Sequence, residues 1–362
     1  MDRAGLAPWG DQFDCYIPAG YTKLVESGMV RAALIPCSGP WAEFEAIVKG
    51  LNGFVFTGMF TDFQAGNGQL TEYGQRGKYI YEQVLQANQQ GVRVPLYAEC
   101  KGFNMLSFFV ASNVTYWLDL IRENINATDL AAPIQWNPAK KYNQTKFYEA
   151  AAATNSAALL TTGKNLMNRH PYGLLPANYT SNNGLMSFFG PYIATTTDGK
   201  GVEFVSVVEH PQYPIYGVAT HPEKVIYEWN PTIQTPHTDD GLQANLFFGR
   251  MIGDAARGNG RNFLNATLER KVLTPTHRAM RHPPRTRCER GRVPWCGGTR
   301  GATLSHYPRC PCGGLCQLRR LRACVSGHRL LPDRPHFLSG TRRQAGPGRA
   351  SLGPNRSGER HA

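Results

Sequence analysis

The chain has 362 residues, with 39 lysines and arginines against 26 aspartates and glutamates, but this positive charge is unevenly distributed. Residues 1–270 contain 20 basic and 23 acidic side chains, whereas residues 271–362 contain 19 basic and only 3 acidic ones. The composition therefore excludes a uniformly basic nucleic-acid-binding protein, and no apolar run approaches the ~18 residues of a membrane-spanning helix. We expect neither nucleic acid nor a membrane among the partners of the body.

Three segments of the chain differ in composition. Residues 1–14 form an N-terminal extension that lacks the uninterrupted apolar stretch of a secretory signal. Residues 15–270 are long enough for one domain with a sizeable core. Residues 271–362 are rich in arginine, proline, glycine and cysteine. Their few large aliphatic side chains cannot offset the entropy of ordering, so a disordered or non-native tail is predicted.

Two other interpretations of the basic tail remain open. A zinc knot would use His306, Cys310, Cys312 and Cys316, but Cys-x-Cys-x3-Cys lacks the paired Cys-x2-Cys spacing of common structural zinc sites. An arginine-rich arm would bind nucleic acid, but the arginines are scattered rather than placed on one face. We therefore expect no metal in this chain.

Within the body, short apolar strands alternate with segments of helical period, which is typical of a parallel sheet covered by helices on both faces. The pattern predicts helices at residues 21–27, 41–51, about 79–87, 103–110 and 241–256. It predicts strands at residues 32–36, 54–57, 92–98, 193–197, 202–208 and 215–220, with a hairpin at residues 198–201. This order predicts an α/β three-layer sandwich with a mostly parallel central sheet, similar to flavodoxin.

The body contains three cysteines, Cys15, Cys37 and Cys100, so at most one pair can form a disulfide and at least one thiol stays free. Cys100 follows a predicted strand and precedes a predicted helix, which resembles the sharp turn of a nucleophile elbow. A helix N-terminus and the neighbouring Lys101 would favour a thiolate there. The alternative is a buried structural cysteine.

His221 and Glu223 form the second candidate group. His221 lies just past a predicted strand, and therefore at the same sheet edge as Cys100. A neutral imidazole within hydrogen-bond reach can accept the thiol proton and later protonate a leaving group. Glu223 can hold the ring in one tautomer, as the third member of a catalytic triad does. The alternative is a histidine–proline turn with Glu223 in solvent.

These motifs resemble gamma-glutamyl hydrolases, within the class I glutamine amidotransferase-like superfamily. The resemblance covers about residues 15–263 and is specific because three strings match beyond the superfamily's His-Pro-Glu. They are Tyr16-Ile17 with Tyr21, Lys23, Glu26 and Ser27; Asn168-x-His170; and Tyr216-Gly217-Val218 through His221-Pro222-Glu223-Lys224 to Tyr227-Glu228-Trp229.

The resemblance implies an omega peptidase that hydrolyses gamma-glutamyl bonds in folylpoly-gamma-glutamates and antifolate polyglutamates, without metal or cofactor. Cys100 would be the nucleophile and form a thioester, His221 the general base and Glu223 the group that orients it. The implied oxyanion hole is formed by Gly58, Met59 and Lys101. The implied substrate contacts are Tyr21, His170 and Asn104.

The family also implies a lysosomal, vacuolar or extracellular protein. Five Asn-x-Ser/Thr triplets favour a glycoprotein of the secretory route, although this chain has no visible signal peptide. A homodimer is left open. The signal peptide and the first sheet strand that the family places before Tyr16 are not found here.

Several positions depart from the family pattern. The family's Pro-Gly-Gly is Thr57-Gly58-Met59, its Gly-x-Cys is Ala98-Glu99-Cys100, and its glutamate four residues after the nucleophile is Asn104. These departures leave two alternatives open: a catalytically silent relative that binds polyglutamylated folate without cleaving it, and a glutamine amidotransferase-type glutaminase.

Overall fold

The computed structural model describes residues 15–58, 61–230, 232–263 and 265–274. All of them belong to one unit of the chain, residues 1–285. The extension predicted at residues 1–14, Met59, and nearly all of the tail predicted at residues 271–362 lie outside the described residues. The candidate zinc knot also lies outside them.

The described chain alternates between helices and strands. The helices are α1 Ala19–Ser27, α2 Trp41–Gly50, α3 Glu72–Gln89, α4 Lys101–Val110, α5 Lys146–Ala153, α6 Ala157–Leu160, α7 Pro176–Ser181, α8 Asn183–Phe189, α9 Pro222–Tyr227, α10 Asp239–Arg257 and α11 Ala266–Val272. The strands are β1 Phe54–Phe56, β2 Leu96–Glu99, β3 Ala127–Ala131, β4 Gln135–Trp136, β5 Met167–His170, β6 Ala194–Thr197, β7 Glu203–Glu209 and β8 Ile215–Val218.

Six strands form the central sheet in the order β1-β2-β8-β7-β6-β4. Strands β1, β2 and β8 are parallel, and the pairs from β8 to β4 are antiparallel. The carboxyl ends of β2 and β8 therefore meet at one edge of the sheet, as the sequence analysis expects for the residues that follow them. The hairpin predicted at residues 198–201 is confirmed, because Asp198 accepts backbone hydrogen bonds from Lys200 and Val202 at its turn.

Alternating side chains of the sheet enter two separate cores, which gives the predicted three layers. One core contains Phe54 and Phe56 of β1 together with Leu96 and Ala98 of β2, and it also includes side chains of α2, α3 and α4. The other contains Tyr97 of β2 and side chains of α1, α5 and α10. The α/β sandwich predicted from the sequence is confirmed, with a mixed sheet.

Two parts of the fold differ from the predicted elements. Residues 32–36 do not form a strand; Ala33 makes only an isolated antiparallel bridge with Leu273. A small antiparallel sheet of β3 and β5 was not predicted, and β5 carries His170. Both differences depend on partners far away in sequence, which local periodicity does not encode.

Cys15 and Cys37 form a disulfide, and Cys100 is a free cysteine. The sequence prediction of at most one pair is therefore confirmed. A cavity of about 710 Å³ lies between the edge of β1 and residues 31–37 and reaches Tyr21 and Gly58. Within the described part of the chain, no helix combines the length and apolar character needed to span a membrane.

Candidate active site

Cys100 occupies a tight turn between β2 and α4. Its backbone has φ 52° and ψ −113°, a region that side-chain-bearing residues rarely adopt, and its N–H donates to the Val218 carbonyl of β8 at 2.8 Å. Glycine is needed at position 102 because a Cβ there would lie 2.3 Å from the Phe56 carbonyl oxygen. The thiol is held in a strained strand-to-helix turn, the geometry of a nucleophile elbow.

His221 precedes α9 and follows β8, and its N–H donates to the Met167 carbonyl at 2.7 Å. A Cβ at Gly58 would lie 2.6 Å from His221 Cε1 and 3.1 Å from Cys100 Cβ. The imidazole and the thiol therefore face the same small space. Burial alone would lower the pKa of His221, but the negative charges of Cys100 and Glu223 outweigh it and raise that pKa well above its usual value. This arrangement favours a protonated His221 imidazole beside the sulfur of Cys100.

The Nδ1 edge of His221 faces two carboxyl groups. One oxygen of Glu223 and one of Glu99 each lie 3.0 Å from Nδ1, and both side chains are fully buried. Burial raises the pKa of Glu99 to about 8, and the charge of Glu223 adds to this rise. Burial also opposes ionisation of Glu223, but the charge of His221 and its hydrogen bond lower the pKa of Glu223 to about 2, with help from Lys224.

Tyr21 contacts the same imidazole from α1. Its hydroxyl lies 3.3 Å from His221 Nδ1 and accepts a 3.0 Å hydrogen bond from the N–H of Gly58. Of the residues predicted for the oxyanion hole, Gly58 therefore has its N–H occupied by Tyr21, and Met59 lies outside the described residues. Lys101 is the first residue of α4, where backbone N–H groups have no acceptor within the helix.

The other predicted substrate contacts surround the thiol. Cys100, Asn104 and His170 line one pocket of about 10 Å³, the space of a single water. Burial lowers the pKa of His170 to about 3, and the charge of His221 contributes, so this imidazole is neutral. The structure thus brings His170 and Asn104 to Cys100, whereas Tyr21, which is 3% exposed, contacts the base and the Gly58 N–H.

The sequence of this chain is similar to those of several known proteins. A family model described as Peptidase C26 matches residues 1–170. Gamma-glutamyl hydrolase from Homo sapiens is 27% identical over 260 residues, covering 71% of this chain and 76% of its own. Gamma-glutamyl hydrolase 1 from Arabidopsis thaliana is 29% identical over 264 residues, covering 73% and 70%, and the Mus musculus enzyme is 28% identical, covering 71% and 76%. The chain is therefore similar to gamma-glutamyl hydrolases over about seven-tenths of its length.

The family model ends at residue 170, so it includes Cys100 and His170 but neither His221 nor Glu223. The contact of these last two residues with each other rests on the structure alone. The three-dimensional arrangement therefore adds His221 and Glu223 to the candidate site residues that the family model covers.

Lys101, next to the nucleophile, is held in an aromatic cage. Its Nζ lies 3.7 Å from the ring centre of Trp117, 5.1 Å from that of Tyr172 and 5.5 Å from that of Phe63. Asp62 pairs with the same ammonium at 3.2 Å. Burial lowers the pKa of Lys101, and the charge of Asp62 opposes that change. The charge of Lys101 is therefore paired with that of Asp62 and enclosed by aromatic rings.

One cluster in the described part of the chain has the spacing of a possible metal site. It consists of Glu99, His221 and Glu223, whose potential metal-ligating atoms lie within 4.8 Å of one another. The 3.0 Å contact of His221 Nδ1 with Glu223 is a hydrogen bond, whereas Glu99 approaches the same nitrogen to 3.0 Å without a hydrogen bond. Glu99 was not predicted as a site residue, because it occupies the unspecified position of Gly-x-Cys and the departure there is Ala98. A carboxylate directly before an elbow cysteine was the signal that could have identified it.

Proposed function

We propose that this protein hydrolyses gamma-glutamyl bonds in folylpoly-gamma-glutamates, with Cys100 as the nucleophile. The observation that carries the proposal is the thiol in a strained elbow facing the same space as His221, whose other ring nitrogen is 3.0 Å from Glu223. A nucleophile, a base and a group that orients the base are thereby assembled from β2, β8 and α9.

The reaction begins with attack of the Cys100 sulfur on the gamma-amide carbonyl carbon. Backbone N–H groups at the start of α4, that of Lys101 in particular, stabilise the negative charge that develops on the carbonyl oxygen. His221 gives its proton to the departing amine, which leaves a thioester on Cys100 and a neutral imidazole. The imidazole then accepts a proton from water, and the oxygen of that water attacks the thioester carbonyl carbon. The C–S bond breaks, which releases the shortened folate with a free gamma-carboxyl group and restores Cys100 and protonated His221.

Substrate recognition is proposed for the residues that surround the thiol. Neutral His170 and Asn104 offer hydrogen-bonding groups in the pocket of Cys100. The caged ammonium of Lys101 adds positive charge beside it. A chain of gamma-linked glutamates carries one carboxylate per unit, so it combines amide and anionic groups that match these partners.

A second candidate, a silent protein that binds folate polyglutamate without cleaving it, is favoured by one observation. The N–H of Gly58 is occupied by the hydroxyl of Tyr21, so one of the predicted oxyanion donors is engaged. Catalysis by two donors requires that hydroxyl to move or to be replaced by the substrate oxygen. A lysosomal, vacuolar or extracellular location is likewise a proposal and follows from the family.

The proposal is tested by incubating the wild type, Cys100→Ser and His221→Asn with a folate pentaglutamate. The products are then identified by mass spectrometry. We expect shortened folates from the wild type and a loss of at least about a thousandfold in both variants. Tight binding by calorimetry without shortened products, while a known gamma-glutamyl hydrolase works in parallel, would favour the silent protein. Release of ammonia from free glutamine would identify a glutaminase instead.

A further inference from the structure

The imidazole of His221 has one more buried carboxyl beside it than a triad needs. Glu99 reaches Nδ1 from the end of β2, and Glu223 reaches it from the first turn of α9, each at 3.0 Å. One carboxylate is sufficient to orient a catalytic histidine. Two ionised carboxylates so close together in a water-free site repel each other strongly, so one of them keeps a proton.

The surroundings decide which carboxyl holds the proton. Glu223 lies 3.3 Å from the ammonium of Lys224, which favours the ionised form. Both carboxyl oxygens of Glu99 are instead buried without a hydrogen-bond partner among the described residues, which disfavours the ionised form. Its neighbours include the phenols of Tyr21 of α1 and Tyr97 of its own strand, whose pKa values the charge of Glu99 raises. Apart from His221, no cation is among the groups that most affect the ionisation of Glu99 in the described chain.

The titratable groups around Glu99 come from every element packed against it. They are Tyr21 of α1, Tyr97 of β2, Cys100 at the start of α4, His221 after β8, and Glu223 with Lys224 of α9. Glu99 is thus a carboxylic acid between a carboxylate, two phenols and the imidazole.

We propose that Glu99 is a positioning residue, a neutral carboxyl that shares one proton with Glu223 and together with it holds the Nδ1 edge of His221. This inference rests on the proposed function of the site. The shared proton keeps the charge opposite the imidazole at one unit, as in a triad with a single carboxylate. The pair leaves Nε2 to serve the thiol and the departing amine.

Loss of the shared proton has a defined consequence for turnover. A second negative charge next to the imidazolium strengthens its hold on its proton, so it becomes a poorer acid towards the departing amine. Turnover should therefore fall on the alkaline side as Glu99 ionises, near its pKa of about 8. Below that pH Glu99 is neutral, and above it the site carries two carboxylates.

The decisive variant is Glu99→Gln, which keeps the size and hydrogen-bonding atoms of the acid but cannot ionise. The control is Glu209→Gln, because Glu209 is also a buried carboxyl but binds the backbone N–H groups of Lys146 and Phe147, away from the site. With folate pentaglutamate, the quantity compared between the proteins is the pH dependence of kcat rather than its value at one pH. In Glu99→Gln, the fall of kcat at alkaline pH should shift to a higher pH by at least about one unit. Glu209→Gln should keep the pH profile of the wild type.

A second measurement needs no turnover. The rate of iodoacetamide labelling is followed across pH on the tryptic peptide of residues 94–101, which contains Cys100 and none of the other cysteines. The wild type should show an inflection near the ionisation of Glu99 that is absent in Glu99→Gln. An identical inflection in both proteins would overturn the proposal.

Difference infrared spectroscopy covers the case in which Glu99→Gln does not fold. In the wild type, one protonated carboxyl band should be present at pH ~7 and disappear at pH ~9. Its absence at neutral pH would overturn the proposal without any variant. If neither the wild type nor either glutamine variant shortens folate pentaglutamate, the proposed function fails. Labelling and infrared spectroscopy still decide the role of Glu99 in that case.

Discussion

The hydroxyl of Tyr21 lies 3.3 Å from Nδ1 of His221, although 200 residues separate the two along the chain. The same oxygen accepts a hydrogen bond from the N–H of Gly58. One phenol on α1 therefore contacts both the base and a backbone donor predicted for the oxyanion hole. A tyrosine that the sequence analysis assigned to substrate contact is placed where it orders the catalytic groups themselves.

Replacement of this tyrosine tests that placement. Tyr21→Phe should lower kcat/KM about tenfold and the free energy of unfolding by about 1 kcal/mol, because one buried hydrogen bond is lost. The matched control is Tyr179→Phe, whose buried hydroxyl donates to the Gly190 carbonyl at 2.7 Å. The control should lose similar stability, measured by urea unfolding, and keep full activity. Equal activities in the two variants would contradict the prediction.

The space at Gly58 gives a second prediction. A Cβ there would lie 2.6 Å from His221 Cε1 and 2.7 Å from the Tyr21 hydroxyl, distances that force one of them to move. Gly58→Ala should therefore lower kcat by about a hundredfold, since a displacement of about 1 Å at the chemistry is that costly. Gly66→Ala is the control, because a Cβ at Gly66 meets nothing within 4 Å. Retained activity in Gly58→Ala would show that the imidazole has room to shift.

The two carboxyls predict opposite effects of pH on stability. Glu223 has a lowered pKa of about 2, so its stabilising contribution is present above its unfolded pKa and is lost as the pH falls towards 2. Glu99 has a raised pKa of about 8, so the folded protein holds a proton that the unfolded chain releases above pH ~4.5. The free energy of unfolding should therefore decrease as the pH rises from about 4.5 to about 8.

The measurement is the free energy of unfolding between pH ~5 and pH ~8. Glu99 alone should lower it by at most about 1.4 kcal/mol per pH unit across this window, and Glu99→Gln should remove that part of the slope. Parallel stability curves for the wild type and the variant would mean that the folded and unfolded chains hold the Glu99 proton equally well.

His170 provides a prediction about substrate binding. Its pKa is lowered to about 3, so it stays neutral through the physiological range and cannot cause an inflection of KM between pH ~5 and pH ~8. His170→Asn should raise KM for folate pentaglutamate about tenfold with little change in kcat. His210→Asn is the control, because His210 stacks on Tyr213, is not among the residues that line the Cys100 pocket, and accepts backbone hydrogen bonds. A changed kcat with constant KM would assign His170 to the chemical step.

Much of this site could be predicted from the chain alone because its parts are local. The strand, sharp turn and helix around Cys100 occupy fewer than twenty residues, and β8 followed by His221-Pro222 is equally short. Parallel strands place their carboxyl ends at the same edge, so two local patterns were sufficient to expect a thiol and an imidazole together. The expected strand at residues 32–36 was wrong, because apolar alternation does not specify a pairing partner.

Local patterns in the chain were sufficient to predict the α/β layering, the elbow at Cys100, and His221 with Glu223 beside it. The folded structure was needed to show that Glu99 and Glu223 both approach Nδ1 of His221, that Tyr21 engages the Gly58 N–H, and that β5 brings His170 to the thiol. The physical reason is that periodicity and turn residues act over a few positions. Charge sharing between buried groups depends on which distant side chains come within about 3 Å once burial has removed the water between them.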